Sequence, residues 1–373
     1  MSGFYRNPAR WSAGVLMIFA LTLLFGCSEE GTNVNTPTSD IGQDKLLLSS
    51  KNPRIRDVMG VQNRHTGSLM EDPTVVGTAT GLTEDGDPAI MVYLESKGGG
   101  RDVPASIEGV PVVKVVSGRI RMLRGGGGGG QTSGHTARYD RPIPLGVSGG
   151  NSKDFAYPYC CSGTLGALVQ DGSGTKYMLS NKHVFAGDQA ASENDPDVAE
   201  PGQEINQPGL IDVNCQDIPA DYVGYLTTWC QDNLNLDCAI AEIIPGTVDP
   251  AGTILEIGEL SAATLDAYVG LLVKKSGRTS GLTRGEVTAI NGAFNVGGTD
   301  ECGGEQTTEY FTGQIVVSGR KFLLAGDSGS LLVEDVDNNP RAVGLLFAGS
   351  NTTGIANPID NVLNYFSVNM VGN

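Results

Sequence analysis

Apolar residues along the chain fall mostly into short runs, each bounded by glycine, proline, asparagine or aspartate. After residue 138 these runs are Gly163 to Val169, Lys176 to Ser180, Cys238 to Ile244, Val269 to Val273, Gln314 to Val317 and Ala342 to Phe347. Their length and spacing predict strands closed into β barrels or a sandwich. Upstream, Ile55, Val58 and Met59 recur at helical spacing. Strand-like Val75 to Leu82 follows, then a Glu-Asp-Gly-Asp turn at 84 to 87, strand-like Ala89 to Leu94 and a further run from Val110 to Val116. Near the end, Asn357 can cap a helix that Pro358 begins, with Ile359, Val362, Leu363 and Phe366 along one face. The first 26 residues differ from all of this: Arg6 and Arg10 precede an unbroken apolar run from Val15 to Phe25, the pattern of a cleaved export signal.

That run ends Leu24-Phe25-Gly26-Cys27 and resembles a bacterial lipoprotein signal, which makes Cys27 the expected acylated N-terminus. The resemblance implies lipid anchoring at the bacterial cell envelope, with plain secretion as the alternative. Residues 27–50 are polar and read as a tether, 51–123 as a small α+β domain, 124–137 as a glycine-rich linker containing six consecutive glycines from Gly125 to Gly130, and 138–373 as the main domain. A tract of six glycines is costly to hold in one conformation, which places the domain boundary there. The 53 glycines also favour strands and turns over a helical bundle, so the expected fold class is mainly β.

The formal charge is −17 and becomes −19 without residues 1–26, which excludes nucleic acid as an expected partner. No basic amphipathic segment suggests direct lipid binding, so membrane contact is expected through the N-terminal anchor alone. Six cysteines follow Cys27, at 160, 161, 215, 230, 238 and 302, and an exported chain is expected to pair them as disulfides. Cys160 and Cys161 are not expected to pair with each other, because Cα atoms about 3.8 Å apart lie below the usual disulfide range. Neither a metal nor an organic cofactor is expected.

The segment Gly326-Asp327-Ser328-Gly329 lies between two apolar runs, where flanking glycines let successive N–H groups converge on one cavity, as acyl transfer requires. A nucleophilic serine needs a base, and of three histidines His65 falls in the small domain and His135 in the linker, leaving His183 at the end of the run Tyr177 to Ser180. The base needs a buried carboxylate, and Asp237 directly precedes the apolar run at 238. The order His, Asp, Ser excludes an α/β-hydrolase, which places its histidine last.

Four segments together resemble the chymotrypsin-like serine proteases, and within them the bacterial secreted members such as streptogrisin and α-lytic protease. They are Leu179-Ser180-Asn181-Lys182-His183-Val184-Phe185-Ala186, Asp237-Cys238-Ala239-Ile240, the stretch Ser276 to Val287 beginning Ser-Gly-Arg-Thr, and Gly326 to Gly329. The resemblance implies two six-stranded antiparallel β barrels with a C-terminal helix. The triad of His183, Asp237 and Ser328 would lie between them, with an oxyanion hole made by the N–H groups of Gly326 and Ser328. It further implies a buried Arg278–Asp327 ion pair, and a peptide-binding strand whose Phe347, Ala348 and Gly349 line the specificity pocket. The sequence departs from the pattern at Phe347, where the family carries a serine supporting the aspartate, and at Ser330, where it carries glycine. Phe322 stands where trypsin-like members carry an aspartate, so cleavage after lysine or arginine is not expected and an apolar or small residue is. The implied activity is endopeptidase cleavage of a polypeptide substrate through an acyl-enzyme. The alternatives are a catalytically weak protease-like binding lipoprotein and an esterase on the same fold. In position only, residues 51–123 resemble a pro-region.

Overall fold

The computed structural model describes residues 48–123, 125–126, 134–156, 159–187, 198–231, 234–299, 302, 304, 306–319 and 321–373. The expected export signal, Cys27, nearly all of the expected tether and Gly127 to Gly130 lie outside them. No helix among the described residues is long and apolar enough to cross a membrane.

The structure is mainly β, in two sheets. In the C-terminal half the strands Leu272–Gly277, Leu331–Glu334, Ala342–Gly349, Thr353–Pro358, Gln306–Ser318 and Gly281–Thr299 follow one another around the sheet. Leu272–Gly277 pairs again with Gly281–Thr299, closing a six-stranded antiparallel barrel. The N-terminal barrel runs Ala167–Asp171, Lys176–Ser180, Ala239–Ile243, Tyr222–Trp229, Glu204–Asn206, Val147–Asn151 and Tyr159–Leu165. Tyr159–Leu165 and Ala167–Asp171 are one strand bent at Gly166, so this barrel also closes on six strands. Closure removes the exposed edges that an open sheet would present.

The bend at Gly166 is where the barrel meets the serine turn. A Cβ there would lie 2.0 Å from the Gly329 carbonyl oxygen and 2.9 Å from that of Leu179, both backbone atoms that cannot swing aside. Gly166→Ala is therefore expected to cost at least the upper part of the 1–3 kcal/mol, roughly, that overpacking brings, visible as a lowered thermal midpoint.

The segment after the tether has the elements its periodicity predicts. Asn52 Oδ1 accepts the Arg54 N–H at 2.8 Å and Pro53 opens the helix Pro53–Leu69, whose Ile55, Val58, Val61 and Leu69 are buried. Val75–Leu82 then pairs with Pro88–Leu94, which pairs in parallel with Val110–Val116. Val75–Leu82 also pairs with Gly281–Thr299, with Gly77 opposite Phe294 and Gly81 opposite Ala289. Residues 51–123, expected as a separate small domain, thus extend the sheet of the C-terminal barrel. Met91, Tyr93 and Ile120 share one apolar cluster with Phe294, Phe311 and Phe347. Periodicity identifies each strand but not its partner across the chain.

The C-terminal helix is Ile359–Phe366, with Ile359, Val362 and Leu363 buried in the cluster that fills the N-terminal barrel. Its N-cap is Pro358, one residue later than expected, and Asn357 instead turns its amide into the site described below. Three disulfides, Cys160–Cys215, Cys161–Cys302 and Cys230–Cys238, use all six described cysteines, and the adjacent pair 160 and 161 goes to different partners.

Candidate active site

The strand Lys176–Ser180 leads through Asn181 into a single helical turn, Lys182–Phe185, which presents His183. Asp237 stands just before the strand Ala239–Ile243, which pairs with Lys176–Ser180, so neighbouring strands of one barrel deliver both groups. His183 Nδ1 lies 2.5 Å from Asp237 Oδ2, and the His183 backbone N–H donates to Oδ1 at 3.2 Å. Both side chains are buried, at 4% and 3% exposure. Burial opposes ionisation of Asp237, but the charge and hydrogen bonds of His183 outweigh it and hold the carboxyl below its ordinary value of 3.8. Its stabilising contribution is therefore present above that value and lost only as pH falls through the lower, folded one.

A carboxylate on Nδ1 keeps the proton there and leaves Nε2 as the basic nitrogen. Nε2 is buried and has no hydrogen-bond partner. The Ser328 hydroxyl, also buried, donates instead to the Phe347 carbonyl at 3.1 Å. The serine turn is tied to the histidine's barrel through Thr164, whose N–H donates to the Ser328 carbonyl at 2.8 Å and whose hydroxyl donates to the Gly326 carbonyl at 2.9 Å.

Asparagines hold the aspartate from both barrels. The Asp237 N–H donates to Asn357 Oδ1 at 2.9 Å, Asn357 Nδ2 donates to Gln314 Oε1 at 2.7 Å, and Asn181 Nδ2 donates to the Asp237 carbonyl at 2.7 Å. Neither asparagine was singled out as functional from the sequence; the available signal was an amide inside the otherwise apolar run Gly354 to Pro358. If His183 serves as a catalytic base, Asn357→Leu is expected to lower kcat by roughly 10- to 100-fold with little change in KM, because it loosens the partner of His183; steady-state kinetics separates the two.

The expected Arg278–Asp327 pair does not form. Arg278, just past the end of the strand Leu272–Gly277, reaches across to Asp212 in a two-pronged contact of 2.8 Å from Nε and 2.5 Å from Nη2. Asp327 points into the C-terminal barrel, where Lys275 Nζ lies 3.1 Å from Oδ2 with both side chains fully buried. Burial pushes the Lys275 ammonium down from its ordinary value, against the opposing pull of Asp327. The Asp327 carboxylate also accepts the backbone N–H groups of Thr279 at 2.8 Å, Ser280 at 3.0 Å and Leu324 at 2.9 Å, and the Ser280 hydroxyl at 2.5 Å. It therefore knits the serine turn to the Arg-Thr-Ser segment through the backbone. Ser330, where glycine was expected, is accommodated by Gly277: a Cβ there would lie 2.2 Å from the Ser330 hydroxyl, which donates to the Asp327 carbonyl at 2.5 Å.

Of the expected pocket residues, Ala348 and Gly349 present their backbones to Met122 and Arg121, which pair with them antiparallel. Phe347 turns its ring into the core against Phe311, centroids 4.8 Å apart, and Phe322 is buried in the neighbouring cluster. Gly326 takes a φ of +96°, and its N–H donates to the Leu123 carbonyl at 2.7 Å. His135 is buried between the Gly146 carbonyl and Glu256, and His65 pairs with Glu108, so neither reaches this site.

A family model described as the Nal1 C-terminal domain matches residues 230–359, a stretch that includes Asp237 and Ser328 but not His183. Structural neighbours are chymotrypsin-like bacterial serine proteases. Thermobifida fusca Protease A is 17% identical over 57% of this chain and 92% of its own, with a TM-score of 0.39. Cellulomonas bogoriensis chymotrypsin is 18% identical over 62% and 99%, at 0.40, and Nocardiopsis protease 16% over 61% and 98%, also at 0.40. No curated protein matches the chain.

Proposed function

We propose that the protein is a serine endopeptidase that cuts polypeptides through an acyl-enzyme, with His183, Asp237 and Ser328 as its triad and the N–H groups of Gly326 and Ser328 as its oxyanion hole. One observation carries this reading: the buried His183–Asp237 pair leaves Nε2 as a free base in the same cleft where the Gly326 N–H already holds a peptide carbonyl. In the reaction Ser328 Oγ leaves the Phe347 carbonyl and attacks the substrate carbonyl, and His183 takes its proton. Asp237 stabilises the imidazolium, the leaving amine receives the proton, and water completes the second half by the same route. We further propose that Cys27 is acylated and holds the enzyme at the bacterial cell envelope, its membrane contact made through that anchor alone.

A second reading, a protease-like binding lipoprotein of weak activity, draws on the Ser328 hydroxyl being bonded to Phe347 and not to His183. Turnover of denatured casein and of small peptide esters by the purified protein separates the readings. Cleavage of both, lost in Ser328→Ala, supports the peptidase; ester cleavage alone supports an esterase. Neither, in a folded protein whose Gly326 N–H has been freed of the Leu123 carbonyl by Leu123→Asp, supports the binding protein.

A further inference from the structure

A cavity of about 290 Å³ lies where the helix Pro53–Leu69, the C-terminal barrel and the C-terminal helix meet. Its floor is apolar. Met59 comes from the first helix, Ile290 and Ile315 from neighbouring barrel strands, Leu265 from the segment paired beside Ala342, and Ile359 from the start of the last helix. Junctions of this kind, apolar with a few polar groups at defined places, are where small molecules are held.

The polar capacity left over around this floor is for accepting. Asn291 donates from Nδ2 to Gln62 Oε1 at 2.9 Å and to Asn63 Oδ1 at 2.8 Å, which leaves its Oδ1 without a hydrogen bond among the described residues. Asp360 makes no side-chain hydrogen bond among them. Asp266 gives Oδ2 to Lys51 Nζ at 2.5 Å, in a contact more than half open to water, and keeps its other oxygen. Asp266 foremost, and Asp360 to a smaller degree, hold the Lys51 ammonium above its ordinary value, so this rim favours positive charge. Ser50 and Asn361, the remaining polar side chains on the rim, are also able to accept. Two carboxylates and an amide oxygen suit a ligand that only donates, and a primary ammonium is such a group, with three N–H and no lone pair.

Gln314 also lines the cavity, and a short chain of hydrogen bonds joins it to the triad's aspartate. Its Oε1 accepts Asn357 Nδ2 at 2.7 Å, and Asn357 Oδ1 accepts the Asp237 N–H at 2.9 Å. Its Nε2 donates to the carbonyls of Asn235 at 2.9 Å and Thr312 at 2.6 Å. The amide is therefore satisfied without a ligand, and what a ligand adds is packing against its stem. We propose that the cavity binds a small aliphatic primary amine, its chain on the apolar floor and its ammonium among Asp266, Asp360 and the Asn291 amide oxygen, and that occupancy holds Gln314, and through it Asn357, against Asp237. The binding stands on the cavity alone; the effect on turnover rests on the peptidase reading above. The ligand favours the held arrangement through the contacts it makes with Gln314 and Ile359 there and loses when they move.

The probe is n-hexylamine, with n-hexanol and hexanoate as controls. Titration calorimetry of the full-length protein at neutral pH is expected to show saturable binding of the amine with a dissociation constant of roughly a millimolar, the alcohol about tenfold weaker and hexanoate undetectable. Asp360→Asn is expected to weaken the amine by about threefold or more and leave the alcohol unchanged. Ala267→Phe, which puts a ring into the cavity, is expected to abolish binding of both; where it does not fold, the milder Asp360→Asn still decides. Saturating amine is expected to raise kcat of the Leu123→Asp protein for a small peptide ester by about two- to fivefold with KM unchanged. Ala267→Phe in the same background should lose that gain, which separates it from attack of the amine on an acyl-enzyme. Hexanoate binding as well as the amine, an amine that does not saturate, or binding untouched by either variant overturns the site. Binding with kcat unchanged, or with KM alone altered, overturns the coupling and leaves the peptidase reading standing. A folded Leu123→Asp protein that binds the amine and hydrolyses nothing overturns the peptidase reading and the coupling with it, while the site stands.

Discussion

Replacing Ser328 or His183 with alanine should each lower peptide hydrolysis by about a millionfold, and replacing both should lower it no further. The two side chains act on the same proton, so removing either leaves only the oxyanion donor and substrate binding to accelerate the reaction. Asp237→Asn should cost about ten-thousandfold for a different reason. An amide facing Nδ1 no longer fixes the proton there, so Nε2 loses the lone pair that its lack of a partner now leaves available. Comparison of kcat for the single and double variants checks the claim: effects that simply multiply would mean the residues do not work as a unit.

The second large effect is expected at Lys275, buried beneath the serine turn. Lys275→Met leaves the Asp327 carboxylate fully buried with no cation beside it, and breaking such a pair typically costs about 3–5 kcal/mol. In a chain of this size that corresponds to a thermal midpoint lowered by roughly 10 °C. Because Asp327 holds the backbone of Thr279, Ser280 and Leu324, the same change should loosen the Gly326 turn and reduce activity at temperatures where the protein is still folded. Arg278→Met breaks the buried contact with Asp212 and should leave that turn intact, the reverse of what an Arg278–Asp327 pair would give. Differential scanning calorimetry of both variants, with activity measured below their midpoints, distinguishes the two arrangements.

These residues also mark how far the sequence could be read. His183 and Asp237 were legible because each sits where an apolar run ends, and strand ends are where a barrel exposes side chains to its cleft. Lys275 was legible in principle: it shares a strand face with Val273 and Gly277, and that face points at Asp327. A charged residue just past an apolar run is easily assigned to the surface, whereas Arg278 stood in a motif that matched a family pattern. The partner of Asp327 was therefore taken from the resemblance, while strand alternation held the better clue.

The segment 121–126 shows a different limit. Its pairing is with residues distant in sequence, Ala348 and Gly349 on one side and Ser162 on the other, and glycine carries no periodic signal of its own. Six glycines read alone describe a flexible linker. Only the two barrel edges reveal that a Cβ at Gly125 would lie 2.8 Å from the Ser162 carbonyl oxygen, so that no other residue fits there. The sheet that joins Val75–Leu82 to Gly281–Thr299 escaped the sequence for the same reason: the hydrophobic pattern shows that a strand exists, while its neighbour is decided by the closed topology around it.

The central claim, that Ser328 is a nucleophile activated by His183, is tested most directly by reacting the folded protein with a fluorophosphonate and locating the adduct by peptide mapping. Wild type and Leu123→Asp should both carry it on Ser328, the latter sooner, and His183→Ala should carry none. A folded Leu123→Asp protein that stays unmodified, or an adduct on any other serine, would contradict the account.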